Sequence, residues 1–342
     1  EWLTLWMLVF LEWCAALPLA LWQQHVPPLW AVIAALGGVA WMLAPRGVPS
    51  RWAGALLIAP VLLVEPPRPG PGEAWIVTLD VGQGLAVVVR TARHALLYDA
   101  GPLYGPDADG GERVVVPFLR ATGVRELDTL VLTHADTDHI GGAASVLANI
   151  DTGRMLSSLA RTHPLHAQVG ESGACLAGAA WEWDGVRFEL LHPPSLEAPG
   201  RVRSNNLSCV LRVATAHGAM LLTGDIERAA ESELLASAAS TSASNPRGLA
   251  AEALLVPHHG SSTSSTPDFL AAVGPRHAVV PAGYRNRFGH PRAEVLARYA
   301  ALGAQVLRTD LDGAVTLRFA AGGMQAATVR GERARYWHPA RL

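Results

Sequence analysis

The chain of 342 residues contains no lysine, so all 27 of its basic residues are arginine. Without lysine it cannot form a Schiff base with a substrate, and it cannot carry a Walker-type phosphate loop. Only 16% of its residues are charged, whereas 50% are hydrophobic. This composition excludes an intrinsically disordered chain and is more apolar than is usual for a soluble enzyme.

Cysteine is also scarce. The three cysteines, Cys14, Cys175 and Cys209, form no CxxC pair, which excludes a disulfide-dense scaffold and a cysteine-based zinc site. Cys175 and Cys209 each adjoin a predicted strand. A location outside the cytoplasm would let them oxidise, so a disulfide between them and two buried thiols are both open alternatives.

Hydrophobic residues concentrate before residue 65, in runs at 2–22, 29–44 and 52–64. Such runs, with tryptophans near their ends, are typical of membrane-spanning helices, and none shows the polar face that a buried core helix would need. We therefore predict that residues 1–64 form transmembrane helices of a multi-pass inner-membrane protein. Arg46 and Arg51 would lie on the cytoplasmic side, which places the rest of the chain on the periplasmic or extracellular side.

Residues 65–72 (EPPRPGPG) contain four prolines and two glycines, which predicts a semi-rigid linker before a domain at 73–342. In that domain, β-branched runs alternate with helical stretches, which indicates a layered α/β architecture. The predicted strands are 75–79, 86–90, 95–98, 129–132, 187–191, 209–214, 219–222, 253–256, 277–280 and 315–319. The predicted helices are 114–121, 142–147, 228–239, 267–273 and 292–302.

Residues 133–142 (THADTDHIGG) lie between a predicted strand and a predicted helix. Within six residues they offer four potential metal ligands, His134, Asp136, Asp138 and His139. A turn so rich in carboxylate and imidazole groups would bury unpaired polar atoms unless cations filled it, and one such loop can supply two neighbouring ions. A solvated turn in which an aspartate caps the helix is the alternative.

Two further strand ends repeat this pattern. The predicted strand 219–222 is followed by Asp225 in a TGD sequence, and the strand 253–256 is followed by His258 and His259 in PHHGS. An aspartate or histidine after one strand is commonly a helix cap or a packed side chain. Three such strand ends in one chain predict a metal centre.

With DVGQG at 80–84 and YDAG at 98–101, the motifs HxDxDHxGG, TGD and HHGS resemble the metallo-β-lactamase fold superfamily. Within it, they are most similar to the C-terminal domain of ComEC-type DNA-uptake channel proteins. The resemblance covers about residues 73–320 and implies a four-layer αβ/βα sandwich with metals at one edge between two sheets. Members of that family carry further channel helices and a small β-barrel domain upstream. Since the first residue is Glu rather than Met, we expect a fragment or a processed product.

The resemblance implies two divalent ions. In this pattern His134 and Asp136 hold one metal, Asp138, His139 and His258 hold the other, and Asp225 bridges them. The supporting positions beside these ligands are Asp80, Asp99, Asn205, Ser208 and His259.

This sequence departs from the superfamily at two points. Asp136 stands where hydrolytic members usually carry histidine, and the usual third histidine is missing, with NNLS at 205–208 lying there instead, as in the DNA-uptake proteins. The first site therefore has fewer and harder ligands, which favours Mn²⁺ or Mg²⁺ over a nitrogen-rich zinc site. We expect Mn²⁺ or a mixed pair that includes Zn²⁺, with the first ion weakly held.

Two such ions about 3.5–4 Å apart can hold a bridging hydroxide and stabilise the attacking and leaving oxygens of a phosphodiester.

Arginines outnumber acidic residues in 271–342, and residues 284–291 (YRNRFGHP) mix guanidinium, aromatic and amide groups. Such a patch attracts phosphates and can stack bases. An ordinary solvated loop, rich in arginine because lysine is absent, is the alternative. The candidate DNA-binding residues are Arg276, Arg285, Asn286, Arg287 and Arg292. The candidate catalytic residues are Asp138, Asp225 and His290, the last as a proton donor to the leaving oxygen or a phosphate contact.

The resemblance thus implies a membrane-anchored metal-dependent nuclease that degrades DNA during uptake of transforming DNA across the inner membrane. Its expected partners are DNA, in the form of a single strand or the strand being degraded, the membrane, an upstream channel domain and other DNA-uptake proteins. A non-catalytic module that guides DNA at a channel mouth is one alternative, although a relic site would have no reason to keep both Asp138 and Asp225. A small-molecule metallo-hydrolase, such as a lactonase or β-lactamase, is the other, and Asp136 and the arginine-rich C-terminal section count against it.

Overall fold

A computed structural model describes residues 2–17, 24–196, 203–240 and 248–336. The chain divides into two compact units, residues 1–67 with 118–124, and residues 68–117 with 125–342. The predicted linker at 65–72 contains the point where the chain first passes from one unit to the other.

The apolar N-terminal segment forms three helices, α1 (Trp2–Ala15), α2 (Leu29–Leu43) and α3 (Gly54–Leu63). Helices α2 and α3 pack closely at a pair of glycines, because a Cβ added at Gly38 would collide with the carbonyl of Gly54, and one at Gly54 with the carbonyl of Gly38. Glycine lowers the stability of an isolated helix, but here it permits backbone contact between two helices.

The predicted transmembrane helices are not supported. The three helices have 14, 15 and 10 residues, whereas a helix that crosses a bilayer needs about 20. Within the described residues, every helix is too short or too polar to reach across a membrane. Residues 18–23, part of the first apolar run, lie outside the described residues, and the orientation inferred from Arg46 and Arg51 stays a prediction.

The rest of the chain is a mixed α/β structure. Its strands are β1 (Ala74–Thr78), β2 (Val87–Arg90), β3 (Ala95–Tyr98), β4 (Leu103–Gly105), β5 (Ala108–Asp109), β6 (Glu126–Leu132), β7 (Asp151–Ser157), β8 (Glu171–Ala174), β9 (Ala180–Trp183), β10 (Val186–His192), β11 (Val210–Thr215), β12 (Gly218–Leu222), β13 (Ala253–Leu255), β14 (His277–Val280), β15 (Gln305–Arg308), β16 (Val315–Ala320) and β17 (Gly323–Thr328). Its helices are α4 (Val116–Ala121), α5 (Thr137–Ile140), α6 (Ala143–Asn149), α7 (Arg228–Ser240), α8 (Pro267–Val273), α9 (Ala293–Ala301), α10 (Thr309–Asp312) and α11 (Val329–Glu332).

Two large sheets contain all but two of these strands. The first sheet has the order β17-β16-β1-β2-β3-β6-β7-β8, and the second has the order β15-β14-β13-β12-β11-β10-β9, while β4 and β5 form a separate hairpin. In the first sheet β3, β6, β7 and β8 run parallel to one another. In the second sheet β12, β13, β14 and β15 do so.

The two sheets face each other across one apolar core. Alternate residues on each strand enter it, as Val87 and Val89 do from β2 and Leu211 and Val213 do from β11. The outer face of the second sheet is covered by α7, α8 and α9, which form another buried cluster with it, and α6 packs beside β7 of the first sheet. This is an α/β sandwich of two facing sheets with helices on the outside, as the motifs imply.

Each predicted strand and helix after residue 73 is present, with its ends shifted by three residues or fewer. The sequence analysis missed β4, β5, β7, β8, β9, β15 and β17. Most of these strands are short or lie at sheet edges, where one face or both faces of the strand stay polar. They therefore lack the run of apolar residues from which a strand is predicted.

A disulfide joins the two sheets. Cys175 directly follows β8 of the first sheet, Cys209 directly precedes β11 of the second, and their Cα atoms are 5.9 Å apart in the bonded pair. Both residues are fully buried in the core between the sheets. Tyr98 strengthens the same junction, because its hydroxyl donates a hydrogen bond of 2.5 Å to the carbonyl of Cys209.

A second junction lies at the opposite edge of the sandwich. Asp184, in the turn between β9 and β10, accepts hydrogen bonds from Thr91 Oγ1 at 2.7 Å and from the backbone N of Arg93 at 2.8 Å, and it lies 3.0 Å from His94 Nδ1. These three partners belong to the turn between β2 and β3. Burial alone would raise the pKa of Asp184, but the contacts with Thr91, His94 and Arg93 outweigh it and hold that pKa well below its usual value.

We expect the double substitution Cys175→Ala and Cys209→Ala to lower the free energy of unfolding. The two cysteines are 34 residues apart, and closing a loop of that length stabilises a fold by roughly 3–4 kcal/mol. Urea unfolding of the full chain measures the change. The matched control is Cys14→Ala, which removes a free thiol, and equal midpoints for the double variant and this control would contradict the disulfide.

We expect Asp184→Asn to lower the free energy of unfolding at pH 7 by about 1–3 kcal/mol, because hydrogen bonds to a charged acceptor are lost. A carboxylate with a lowered folded-state pKa contributes its full stabilisation above about pH 4, and this contribution is lost gradually as the pH falls from there toward the lowered pKa. Between pH 7 and pH 3 the gap between the urea midpoints of the variant and the wild type should therefore stay constant down to about pH 4 and then begin to narrow. Asp107→Asn, an exposed carboxylate, is the control, and a pH-independent gap would disprove the assignment.

Candidate metal centre

The strand directions bring the predicted ligands to one edge of the sandwich. In the first sheet β3 and β6 are parallel neighbours, and in the second β12 and β13 are. Since neighbouring parallel strands end at the same edge, the residues after β3 and β6 face those after β12 and β13 across the gap between the sheets.

Four side chains form a compact cluster at this edge. The ligand atoms of Asp138, His139, Asp225 and His259 all lie within 4.8 Å of one another. His139 Nε2 is 3.2 Å from Asp225 Oδ1, and His259 Nε2 is 3.4 Å from Asp138 Oδ2 and 3.5 Å from Asp225 Oδ2. Ligands that are about 2.1 Å from one ion lie roughly 3–4 Å apart, so the spacing fits a divalent cation.

Three buried histidines present a free Nε2 here. The Nδ1 atoms of His134, His139 and His259 lie 2.8 Å from Thr133 Oγ1, 2.7 Å from Asp99 Oδ2 and 2.7 Å from the carbonyl of Pro281. Among the residues that the structure describes, the three Nε2 atoms are buried and make no hydrogen bond. Because a buried polar atom without a hydrogen bond is costly, the three Nε2 atoms are suited to bind a metal ion, and the residues present fit such an ion.

Asp99 orients one of these ligands. It is fully buried, and its carboxylate accepts hydrogen bonds from the backbone N and the Oγ1 of Thr133, both at 2.8 Å, as well as contacting His139. Its backbone is left-handed, with a φ of 58°, a conformation that aspartate tolerates better than most residues. Since Thr133 Oγ1 donates to Asp99, it is left to accept from His134, so one carboxylate sets the tautomers of both rings.

The charges in the cluster favour a bound cation. Burial would lower the pKa of His139, but the carboxylates of Asp225 and Asp99 outweigh it and raise that pKa well above its usual value. Burial would likewise raise the pKa of Asp225 and of Asp138. The neighbouring His139 and His259 instead hold the pKa of Asp225 far below its usual value and lower that of Asp138 to about 2.

The backbone of the ligand loop is held by two other turns. The carbonyl of Asp138 accepts a hydrogen bond from Leu85 N at 3.1 Å, and that of His139 accepts one from Ala100 N at 2.8 Å. A Cβ at Gly84 would collide with the carbonyl of Asp138, and one at Gly142 would collide with the carbonyl of Ala100. The loop is therefore fixed by backbone contacts that only glycine permits at these two positions.

The turn after β13 decides which histidine enters the cluster. His258, His259 and Gly260 adopt three successive left-handed conformations, with φ values of 49°, 54° and 81°. This turn directs His259 into the cluster and leaves His258 beside it, with Nε2 3.8 Å from Asp225 Oδ2 and 3.3 Å from Asn205 Nδ2. The sequence analysis made His258 the ligand and His259 its support. The geometry favours the reverse, because a run of left-handed residues changes the direction in which each side chain points.

His134 and Asp136 form a second, more open pair. His134 Nε2 is 3.6 Å from Asp136 Oδ2, and the Asp136 side chain is 45% exposed. The rings of His134 and His139 have centroids 4.2 Å apart, so this pair adjoins the cluster. Ser208 supports both sites, since its Oγ lies 3.4 Å from His134 Nδ1 and accepts a hydrogen bond from the backbone N of Asp225 at 3.1 Å.

Two residues named from the sequence do not belong to the four-residue cluster. Asp80 pairs with Arg330 of α11, with 3.1 Å between its Oδ2 and Arg330 Nη2. Burial raises the pKa of Asp80, with the positive charge of Arg330 opposing it. Arg276 precedes β14, and because β14 is parallel to β13 its amino end lies at the edge opposite the cluster. The structure therefore separates Arg276 from the candidate ligands.

The remaining predicted residues lie in the loop from β14 to α9. Arg285, Arg287 and Arg292 are exposed. The side chain of Asn286 makes hydrogen bonds within the loop, to Gly283 and His290, and its contact with DNA stays a prediction. The His290 ring lies 6.0 Å from that of His258, between centroids, at the rim of the site.

Residues 79–284 match the family model described as the metallo-beta-lactamase superfamily. The chain is 36% identical to "Competence protein ComA" of Neisseria gonorrhoeae over 303 residues, which are 89% of this chain and 40% of that protein. It is 33% identical to "Uncharacterized protein YcaI" of Escherichia coli over 271 residues, 79% of this chain and 33% of that protein. It is 30% identical to "ComE operon protein 3" of Bacillus subtilis over 278 residues, 76% of this chain and 34% of that protein.

The chain thus spans well under half the length of each of these relatives. The family model covers more than half of the chain, and its match contains the loop of Asp138 and His139 as well as Asp225 and His259. On the strength of this match, and of the cluster that the two sheets bring together, the chain belongs to the metallo-beta-lactamase superfamily.

Proposed function

We propose that this chain is a metal-dependent phosphodiesterase that cleaves DNA during DNA uptake. The observation that carries the proposal is the convergence of three buried, unpaired Nε2 atoms with the carboxylates of Asp138 and Asp225 at one sheet edge. The competence proteins among its relatives support DNA as the substrate. In the cell, an upstream channel domain and other DNA-uptake proteins would be its partners.

Divalent ions bound at this site would supply Lewis-acid activation of water and charge stabilisation at the phosphodiester. Asp138, His139, Asp225 and His259 would hold one ion, and His134 and Asp136 would hold a second. The carboxylate share of the second site favours Mn²⁺, and the imidazoles of the first accept Mn²⁺ or Zn²⁺.

The protein side chains hold protons and orient groups. Asp99 keeps the Nδ1 proton of His139 in place, so that Nε2 always points into the site. Asp225 is buried, while Asp136 and Asp138 face the open side. Substrate therefore approaches from the side of the two more exposed carboxylates, and the inner ligands stay shielded from water.

His290 suits a contact with phosphate better than the predicted role of proton donor. Burial lowers its pKa, and the neighbouring His258 and His259 add to the effect, giving a value of about 4. The ring is therefore neutral near pH 7 and lacks the extra proton that a general acid supplies. Arg285, Arg287 and Arg292 on the same loop are the further phosphate contacts that we propose.

We expect His259→Ala to weaken the binding of Mn²⁺ by roughly a hundredfold or more, because an inner ligand is lost. His258→Ala should weaken it less, by about 10- to 100-fold, as substitutions beside a ligand do. Isothermal titration calorimetry of the metal-stripped full chain gives both constants. If His258→Ala instead loses more Mn²⁺ affinity than His259→Ala, then His258 is the ligand, as the sequence analysis predicted.

We expect the full chain with Mn²⁺ to cleave end-labelled DNA and a chelator to stop the cleavage. Asp138→Asn should slow it by about a hundredfold or more, since several kcal/mol of transition-state stabilisation depend on the bound ion. Asp107→Asn is the control, and gel analysis of the labelled fragments measures the rate.

Nitrocefin and a lactone test the small-molecule alternative in parallel. Their hydrolysis without DNA cleavage would replace the proposal with a lactonase or β-lactamase. Tight DNA binding without any cleavage would support the guide module instead.

A further inference from the structure

The loop between β14 and α9 is attached to the metal centre at both ends. We call residues 283–292 (GYRNRFGHPR) the arginine–aromatic loop. Just before it, the carbonyl of Pro281 lies 2.7 Å from Nδ1 of His259. At its far end, Arg292 N donates a hydrogen bond of 2.9 Å to the carbonyl of Gly260. The position of the loop is therefore set by the same turn that carries a proposed metal ligand.

Asn286 makes the loop rigid. Its Nδ2 donates hydrogen bonds to the carbonyls of Gly283 at 3.0 Å and His290 at 2.6 Å, and its Oδ1 accepts one from His290 N at 3.0 Å. One side chain thus spans most of the loop. A ligand that binds such a preorganised loop does not have to order it first.

Two aromatic rings stand exposed on this loop. Tyr284 is 56% exposed and Phe288 is 45% exposed. The guanidinium of Arg285 lies over the ring of Tyr284 at 5.3 Å, and that of Arg287 lies over the ring of Phe288 at 4.9 Å. The Phe288 ring also stacks on the His290 ring, with 5.9 Å between the centroids. About half of each aromatic side chain stays exposed, and this surface is open to a ligand.

The charge of the loop points to a polyanion. Residues 283–292 contain three arginines and no acidic residue. Alternation of guanidinium and aromatic groups matches a strand of nucleic acid, in which phosphates and base faces alternate. In a duplex the faces of the bases are hidden within the stack, so exposed rings can stack only on unpaired bases.

We propose that the arginine–aromatic loop binds single-stranded DNA beside the metal centre, with bases stacked on Tyr284 and Phe288 and phosphates held by Arg285 and Arg287. This inference rests on the proposed function and names the form of its substrate. Tyr284 is three residues beyond Pro281, a chain length of at most about 11 Å. A strand that stacks on the loop therefore passes the cluster at close range.

Fluorescence anisotropy with the full chain in the presence of a chelator tests the stacking. The probes are a labelled oligothymidine, an abasic strand of the same length and charge, and a blunt duplex. We expect wild type to bind oligothymidine more tightly than the abasic strand, by roughly 5- to 150-fold for each stacked base, and more tightly than the duplex. Tyr284→Ala with Phe288→Ala should abolish the preference for oligothymidine over the abasic strand.

Arg285→Gln with Arg287→Gln is the matched pair. It should weaken the binding of both single strands by the same factor. The slope of log affinity against log salt concentration should also become less steep, by about 1.4 for the two lost phosphate contacts. Equal wild-type affinities for oligothymidine and the abasic strand would overturn the stacking, as would a base preference that survives loss of both rings. Tighter binding of the duplex would overturn the single-strand assignment.

The chelated assay separates this inference from the proposed function. A base preference without metal-dependent cleavage leaves the loop assignment standing and removes the phosphodiesterase. Cleavage without a base preference does the opposite.

Discussion

The metal centre depends on hydrogen bonds made on the far side of its imidazole rings. A histidine can bind a cation through Nε2 only if its proton is kept on Nδ1, and here Thr133, Asp99 and the carbonyl of Pro281 each lie within hydrogen-bond distance of one Nδ1 atom. These three partners come from three separate strand ends. The fold therefore determines that Nε2 of each ring faces the site, in addition to fixing where each ring lies.

Such a site demands that two independent sheets keep their spacing. The structure secures it at both edges of the sandwich, with the Cys175–Cys209 disulfide near the cluster and the Asp184 carboxylate at the opposite end. The disulfide also adjoins Ser208, whose Oγ contacts both His134 and the backbone of Asp225. The disulfide and the contacts of Asp184 thus both fix the distance between the two sheets, which the candidate ligands must span.

Much of this arrangement could be predicted from the sequence. An apolar run followed by aspartate or histidine predicts a strand and places the polar residue at the carboxyl end of that strand. The convergence of the loop at 133–142 with Asp225 follows from that pattern. The choice between His258 and His259 does not, since it depends on three consecutive left-handed residues that no spacing rule reveals. The separate position of Arg276 was missed for a related reason, because its place relative to the cluster is set by the direction of β14. The apolar runs before residue 65 predicted helices correctly but not their lengths, which depend on where proline and glycine interrupt them.

The glycines beside the ligand loop have a consequence for how this centre can change over time. Gly84 and Gly142 carry no functional group, yet a larger residue at Gly84 would push against the carbonyl of Asp138, and one at Gly142 would push against Ala100 and Gly111, on which the ligand loop rests. A metal ligand can be exchanged for another residue with a donor atom, and the ion can adapt to it. No other residue leaves the space that glycine leaves at these two positions. The shape of the pocket therefore restricts which substitutions are tolerated more than the identity of the ligands does.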